Sequence, residues 1–185
     1  TANFLLVDNF ESYDDIDPLP GEPGINRIFD KWIDGFGTTT NGALVGNALP
    51  PYAETSIVHG GGGQSMNYSY DNNLKTSEAT LTLVSPRDWT EGGVTKLVLW
   101  FRGRGANSAE RMFVALNGNA VVYHDDASVT QKGGWNAWAI DLQAFADQGV
   151  NLANVNTITI GFGTKGSPAA GGTGTMYFDD IRLYR

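Results

Sequence analysis

Two acidic segments near the ends of the sequence carry the residue types of a metal site. The first is Asp8-Asn9-Phe10-Glu11 and the second is Asp179-Asp180. Carboxylate oxygens are preferred ligands of Ca²⁺. The chain has 0 cysteines, which removes disulfides, zinc–thiolate sites and thiol nucleophiles. If the two segments meet in the fold, they supply the charge of a calcium site.

The alternation of the last strand makes Asp179 the central candidate. Period 2 places it on the face of Ile181, so its carboxylate is expected to point into the core, while Asp180 points to solvent. A buried unpaired charge costs several kcal/mol and therefore needs a cation. Because terminal strands are often neighbours in a sandwich, Asp8 or Glu11 is expected to meet Asp179 around one calcium. The alternatives are a salt bridge to arginine and acceptance of backbone N–H groups at a turn.

Outward aromatic residues on the middle strands form the candidate ligand site. Leu97 and Leu99 belong to the core row of their strand, which sends Trp100 outward. The same parity turns Phe113 and Trp135 outward. Sugar rings present apolar C–H faces that pack on aromatic rings, with polar groups at the edge for hydroxyls. The predicted ligand-binding residues, expected to share one sheet face, are Trp100, Arg102, Arg111, Phe113 and Trp135.

These side chains need a scaffold of strands, and the sequence predicts about nine of them. Short alternating apolar runs with turn residues between them predict an all-β fold, an antiparallel β-sandwich of the jelly-roll kind. Helical periodicity appears only from Leu142 to Gln148, which predicts one short helix and excludes a fold with crossover helices. The strand runs are 4–7, 65–70, 79–83, 96–102, 111–116, 120–124, 138–142, 157–162 and 176–184.

A long N-terminal insertion interrupts this series between Asp14 and Thr55. It is rich in proline and glycine and holds an isolated apolar cluster around Trp32 and Phe36. A connection of this length usually has a function or packs over the sandwich, so it is predicted to be a capping loop. If it covers the Trp100 face, that indole belongs to the core. The whole of residues 1–185 is predicted to form a single domain.

Composition excludes several partner classes. The net charge of -8 and pI near 4.6 work against attraction to nucleic acid or anionic lipid. No run reaches the roughly 18 apolar residues of a membrane span, and the N-terminus has no basic region followed by a long apolar one. We therefore expect no membrane insertion and no signal peptide in this sequence. Glycine-, asparagine- and threonine-rich composition is common in exported bacterial proteins.

The two acidic segments resemble those of a known family. The opening Asp8-Asn9-Phe10-Glu11 and the closing run from Tyr177 to Leu183 are similar to those of calcium-binding β-sandwich carbohydrate-binding modules. These are galactose-binding-like jelly rolls of bacterial polysaccharide-degrading enzymes. The segments 88–90, 97–103 and 135–142 look like their middle strands. The resemblance implies a mainly structural calcium, held by Glu11 and Asp179. The long insertion departs from the compact family pattern.

The combined prediction is a secreted, bacterial, non-catalytic module that binds an extracellular polysaccharide and belongs to a larger multidomain enzyme or surface protein. One alternative is a structural or adhesive cell-surface domain. Another is an enzyme, either a glycoside hydrolase or a jelly-roll lyase. A hydrolase needs two facing carboxylates, and the sequence singles out no pair. A lyase needs a histidine or tyrosine base, for which His59, Tyr123 and His124 are available.

Overall fold

The computed structural model, which describes residues 3–185, has eleven strands, several of which alternate between buried and more exposed side chains. In chain order they are β1 (Phe4–Asp8), β2 (Trp32–Ile33), β3 (Leu44–Val45), β4 (Met66–Asp71), β5 (Ser77–Thr82), β6 (Lys96–Arg102), β7 (Met112–Leu116), β8 (Ala120–Tyr123), β9 (Asn136–Asp141), β10 (Thr157–Phe162) and β11 (Thr173–Tyr184). Two short helices accompany them, α1 (Ile28–Lys31) and α2 (Gln143–Ala146). Neither helix is long and apolar enough to cross a membrane.

The strands form two antiparallel sheets that pack face to face. The six-stranded sheet has the order β3-β4-β11-β6-β9, with β1 paired to the C-terminal half of β11. The five-stranded sheet has the order β2-β5-β10-β7-β8. Leucine, isoleucine, valine and aromatic side chains from both inner faces form one continuous core. The predicted antiparallel sandwich is therefore confirmed.

All nine predicted strands are present, and α2 lies inside the predicted helical segment. The sequence patterns did not predict β2, β3 and α1, which all lie in the Asp14–Thr55 insertion. Both of these strands have only 2 residues, too few for a detectable alternation.

The insertion closes an open edge of the sandwich. Its first strand, β2, pairs with β5 of the five-stranded sheet, and β3 pairs with β4 of the six-stranded sheet. Trp32 and Ile28 are completely buried between the two edges. Phe36, predicted to belong to the same cluster, is 84% exposed. The insertion thus completes the core at one edge, while the ring that stacks on Trp100 comes from outside the insertion.

Asp8 fastens this insertion to the first strand. Its buried carboxylate accepts hydrogen bonds from the Tyr13 hydroxyl at 2.5 Å, from Trp32 Nε1 at 2.9 Å and from the Phe10 backbone N–H at 2.7 Å. Burial raises the pKa of Asp8 above its ordinary value, and these donors oppose that rise. The three donors satisfy the Asp8 carboxylate, and through the hydrogen bond from Trp32 this residue joins β1 to the insertion.

We predict that Asp8→Ala strongly destabilises the protein. The substitution leaves the Tyr13 hydroxyl and the Trp32 indole N–H buried without an acceptor, and each such loss costs about 1–3 kcal/mol. Urea unfolding should show a free energy of unfolding lower by about 3 kcal/mol. The control is Asp125→Ala, an exposed carboxylate, which should change stability by less than about 0.5 kcal/mol. Equal effects of the two substitutions would contradict this role of Asp8.

Candidate functional site

A bulge in β11 sets the position of Asp179. The pairing of β11 with β6 shifts register between Asp179 and Arg182, and Asp180 adopts a positive φ of 46°. Asp179 lies opposite Trp100, on the outer face of the six-stranded sheet, while Ile181 is buried in the core. The prediction that Asp179 shares the face of Ile181 is therefore wrong. One extra residue between them reverses the parity of the strand.

Asp179 is nevertheless buried, because the 57–64 loop covers it. The carboxylate of Asp179 is 1% exposed and accepts the His59 backbone N–H at 3.0 Å. The His59 ring, through Nδ1, lies 2.6 Å from the Asp180 carboxylate. Asp180 was predicted to point to solvent. Its carboxylate lies 3.5 Å from the Arg182 guanidinium, but its side chain is only 14% exposed. The loop is thus held against β11 by two consecutive aspartates.

Glu11 holds the other end of the same loop. Its Oε1 accepts the backbone N–H groups of Gly63 at 2.8 Å and Gln64 at 3.1 Å. A side chain at Gly62 would begin 2.4 Å from that oxygen, so a larger residue there would displace the Glu11 carboxylate. The Gln64 amide completes the attachment by donating to the Phe10 carbonyl at 2.6 Å. The N-terminal acidic segment and β11 therefore meet at one loop.

The electrostatics of Asp179 are unfavourable for a carboxylate. Burial, with a further contribution from the nearby charges of Asp180 and Glu11, raises the pKa of Asp179 to about 7, although hydrogen bonds from the His59 and Asp180 backbone N–H groups oppose the rise. Among residues 3–185 no lysine or arginine forms an ion pair with Asp179. The predicted salt-bridge alternative is thus wrong, and the predicted turn alternative describes the observed hydrogen bonds.

The predicted metal residues separate into two groups. Glu11 lies close enough to Asp179 for their charges to interact, whereas Asp8 is occupied by its contacts with Tyr13 and Trp32. Within the described part of the chain no three histidine, aspartate or glutamate side chains gather in a geometry that would by itself hold a metal ion. A cation at Glu11 and Asp179 would therefore take further oxygen ligands from backbone carbonyls and water.

An aromatic cluster lies beside these carboxylates. The His59 ring stacks on Trp100, with centroids 4.0 Å apart and planes at 20°, and meets the Trp135 ring edge-on at 5.7 Å. Both indoles are half-buried. Register places Arg102 two positions from Trp100 on the same outward row of β6. We call His59, Trp100 and Trp135 the three-ring cluster.

Arg111 and Phe113 lie on the other sheet, so the five predicted ligand residues do not share one face. β7 belongs to the five-stranded sheet, whereas β6 and β9 belong to the six-stranded one. Phe113 is 1% exposed, because its ring lies against the Gly161 backbone and contacts Tyr123. Arg111 lies over the Tyr123 ring at 3.7 Å. The alternation of side chains along a strand correctly predicted which residues point away from the core, but it does not reveal to which of the two sheets a strand belongs.

Sequence reasoning missed the position of His59 in the ligand region. The residue was considered only as a candidate lyase base, and its stacking on Trp100 joins two segments that are far apart in the sequence. The available signal was the Gly60–Gly63 run that follows it, which marks a loop able to approach a surface closely.

The candidate lyase residues do not come together. His59 lies on the six-stranded sheet, and Tyr123 packs with Phe113 on the five-stranded one. The His124 ring packs against Phe101 and Trp138, and burial lowers its pKa. The described residues thus do not combine these three candidate bases into one site.

Comparison with solved structures relates this architecture to carbohydrate-binding modules. A family 11 module from Clostridium thermocellum, solved with a β-1,3-1,4-mixed-linked tetrasaccharide, matches with a TM-score of 0.50 and 20% identity over 83% of this chain and 94% of that chain. The solution structure of CtCBM11 matches at 0.55 and 16% identity over 98% and 95% of the two chains. An exo-β-agarase matches at 0.57 and 14% identity, over 98% of this chain and 24% of the agarase.

At these identities the likeness shows a common β-sandwich fold. No protein-family model matches the sequence, and no curated protein matches it significantly.

The raised pKa of Asp179 predicts a pH-dependent cost of folding when cations are removed. The Asp179 carboxyl has a pKa of about 7 in the folded protein against an ordinary value of 3.8, so below pH 4 it is protonated in both states and does not oppose folding. As the pH rises from 4 to about 7, the unfolded state loses this proton first, and the free energy of unfolding falls. Asp179→Asn has no such titration. In EDTA, the stability of this variant relative to the parent should therefore increase between pH 4 and pH 7, by up to about 4 kcal/mol. Urea unfolding across this range measures it, and a constant difference would disprove the shift.

Proposed function

We propose that this chain is a non-catalytic carbohydrate-binding module that targets an extracellular polysaccharide. The observation that carries the proposal is the three-ring cluster on the outer face of the six-stranded sheet. His59, Trp100 and Trp135 bring three aromatic rings together, with Arg102 on the neighbouring outward position. Aromatic surfaces of this kind pack against the C–H faces of sugars, and the guanidinium supplies hydrogen-bond donors for hydroxyl groups.

The cluster is held in place by the carboxylates beneath it. His59 reaches Trp100 from a loop whose backbone N–H groups are bonded to Asp179 and Glu11. An ordered binding surface loses less conformational entropy when a ligand binds than a mobile one does. In this proposal the loop attachment serves ligand binding directly.

Calcium is the second part of the proposal. Asp179 is a buried carboxylate near two further acids and has no cationic side chain paired with it in the described part of the chain. Glu11 and Asp179 are the ligands that we assign to the ion, since hard carboxylate oxygens suit Ca²⁺. Bound there, calcium would neutralise their repulsion and hold the 57–64 loop against β11.

The structural neighbours support a binding role. The family 11 module was solved in complex with an oligosaccharide, and the agarase is a much longer chain of which the matching part is a fraction. By analogy, we propose that this chain is secreted by a bacterium and forms part of a multidomain enzyme that acts on a polysaccharide.

We predict that calcium raises the Tm of the parent protein in a dose-dependent way. An ion that binds only the folded state adds about 2.7 kcal/mol at a hundredfold excess over its dissociation constant. Glu11→Gln and Asp179→Asn should reduce this gain, because each removes a charged ligand. Calorimetry of EDTA-treated protein, with and without CaCl₂, measures it. Asp125→Ala, at an exposed carboxylate elsewhere, should retain the full gain, and an unchanged parent Tm would rule out the site.

We predict that Trp135→Ala lowers saccharide affinity roughly thirtyfold, since truncation of a central aromatic anchor typically costs about 2 kcal/mol or more. Trp100→Ala should act similarly and also release His59. A glycan array identifies the ligand, and isothermal titration with that ligand measures the loss. The matched control is Tyr123→Ala, a half-buried aromatic on the opposite sheet. Loss of binding in the control with retention in Trp135→Ala would place the ligand on the five-stranded sheet.

A further inference from the structure

A second concave surface lies away from the three-ring cluster, where the insertion meets the six-stranded sheet. It is a groove of about 500 Å³ between the 35–44 segment and the outward faces of β4 and β11. Leu44, Ser69 and Thr175 form its floor, and register aligns them across three neighbouring strands. This volume lies within the range of about 300–1,000 Å³ that is usual for small-ligand sites.

The groove carries the most exposed aromatic ring among the described aromatic side chains. Phe36 is 84% exposed and lines its rim, whereas a phenyl group of this kind is normally buried. Leu44 adds a second apolar surface, 48% exposed, on the floor. Exposed apolar surface at the rim of a concave, otherwise polar site is typical of ligand recognition.

Phe36 is positioned by a rigid segment. The Asp34 carboxylate accepts the backbone N–H of Phe36 at 2.9 Å and that of Val45 at 2.6 Å, which ties the segment to β3. A side chain at Gly35 would begin 1.8 Å from the Asn41 carbonyl oxygen, so the segment closes tightly on itself. The backbone at Phe36 is therefore held in place before any ligand arrives.

The polar lining is electrically balanced. Lys75 and Asp71 lie 3.5 Å apart and neutralise each other, with both side chains 38% exposed. The remaining polar groups at the groove are largely hydroxyls, among them those of Ser69, Thr173 and Thr175. Hydroxyls both donate and accept hydrogen bonds, which matches the hydroxyl groups of an uncharged sugar. Without a cation in excess, the lining does not favour an anionic ligand.

We propose that this groove is a second saccharide-binding site, selective for a neutral sugar chain that packs on Phe36. This groove site is additional to the three-ring cluster, and the inference does not depend on binding at that cluster. On β11 the groove residue Thr175 is separated from Asp179 by Tyr177, which is 4% exposed and lies beneath Arg104 at 5.4 Å. The two surfaces are thus distinct, and one module with both would engage two sugar segments at once.

The experiment is an NMR titration of the ¹⁵N-labelled 185-residue chain with cellohexaose, xylohexaose, neoagarohexaose and trigalacturonate. We expect at least one neutral saccharide to shift the amide signals of Leu44, Ser69 and Thr175. Phe36→Ala should weaken that binding roughly thirtyfold. Val84→Ala, a truncation of a 91% exposed side chain outside the groove, should leave it unchanged. Equal Tm values for the parent and both variants show that the fold is intact.

Three results would overturn the proposal: no groove amide shifts with any neutral saccharide, trigalacturonate binds the groove more tightly, or Phe36→Ala binds like the parent. Repeating the titration with Trp135→Ala separates this inference from the proposed function. Groove shifts that persist in that variant, together with lost shifts around Trp100, support two sites. Groove shifts in a parent whose Trp100 region never responds support the groove and reject the three-ring cluster as a binding site.

Discussion

The buried carboxylate of Asp179 is the constraint around which the candidate site is arranged. A bulge at Asp180 moves it out of the core, and the 57–64 loop then removes it from water. The His59 backbone N–H donates to Asp179 and so fixes that loop, and the His59 ring stacks on Trp100. A carboxylate at the sheet surface therefore determines where an aromatic ring on the loop is placed. The buried carboxylate and the aromatic cluster are thus parts of one local structure.

A second buried carboxylate performs a different task. Asp8 receives donors from Tyr13 and Trp32 and joins the insertion to the first strand. The contrast between the two follows from their partners. Asp8 is surrounded by neutral donors, whereas Asp179 faces the negative charges of Asp180 and Glu11. Donors satisfy the first carboxylate without an ion, while the second retains a repulsion that a cation would relieve.

The insertion builds one edge of the sandwich. Its two short strands extend opposite sheets, and the segment between them presents Phe36 at the rim of a groove. The outer surface of the six-stranded sheet thus carries two separate regions with exposed or half-exposed aromatic rings. Tyr177, covered by Arg104, lies between them. Two separate surfaces for a ligand are therefore compatible with this fold.

The sequence by itself determined the all-β sandwich, the nine long strands and the outward direction of Trp100, because alternation with period 2 is a local property. It also indicated that Asp8 or Glu11 lies near Asp179, and the fold brings Glu11 there. Tertiary structure alone decided the rest. The bulge reversed the face of Asp179, sheet membership separated Phe113 from Trp100, and a loop distant in sequence brought His59 onto that indole. Each of these depends on how strands pair across the chain, and pairing is fixed by packing of the whole core, which no local pattern encodes.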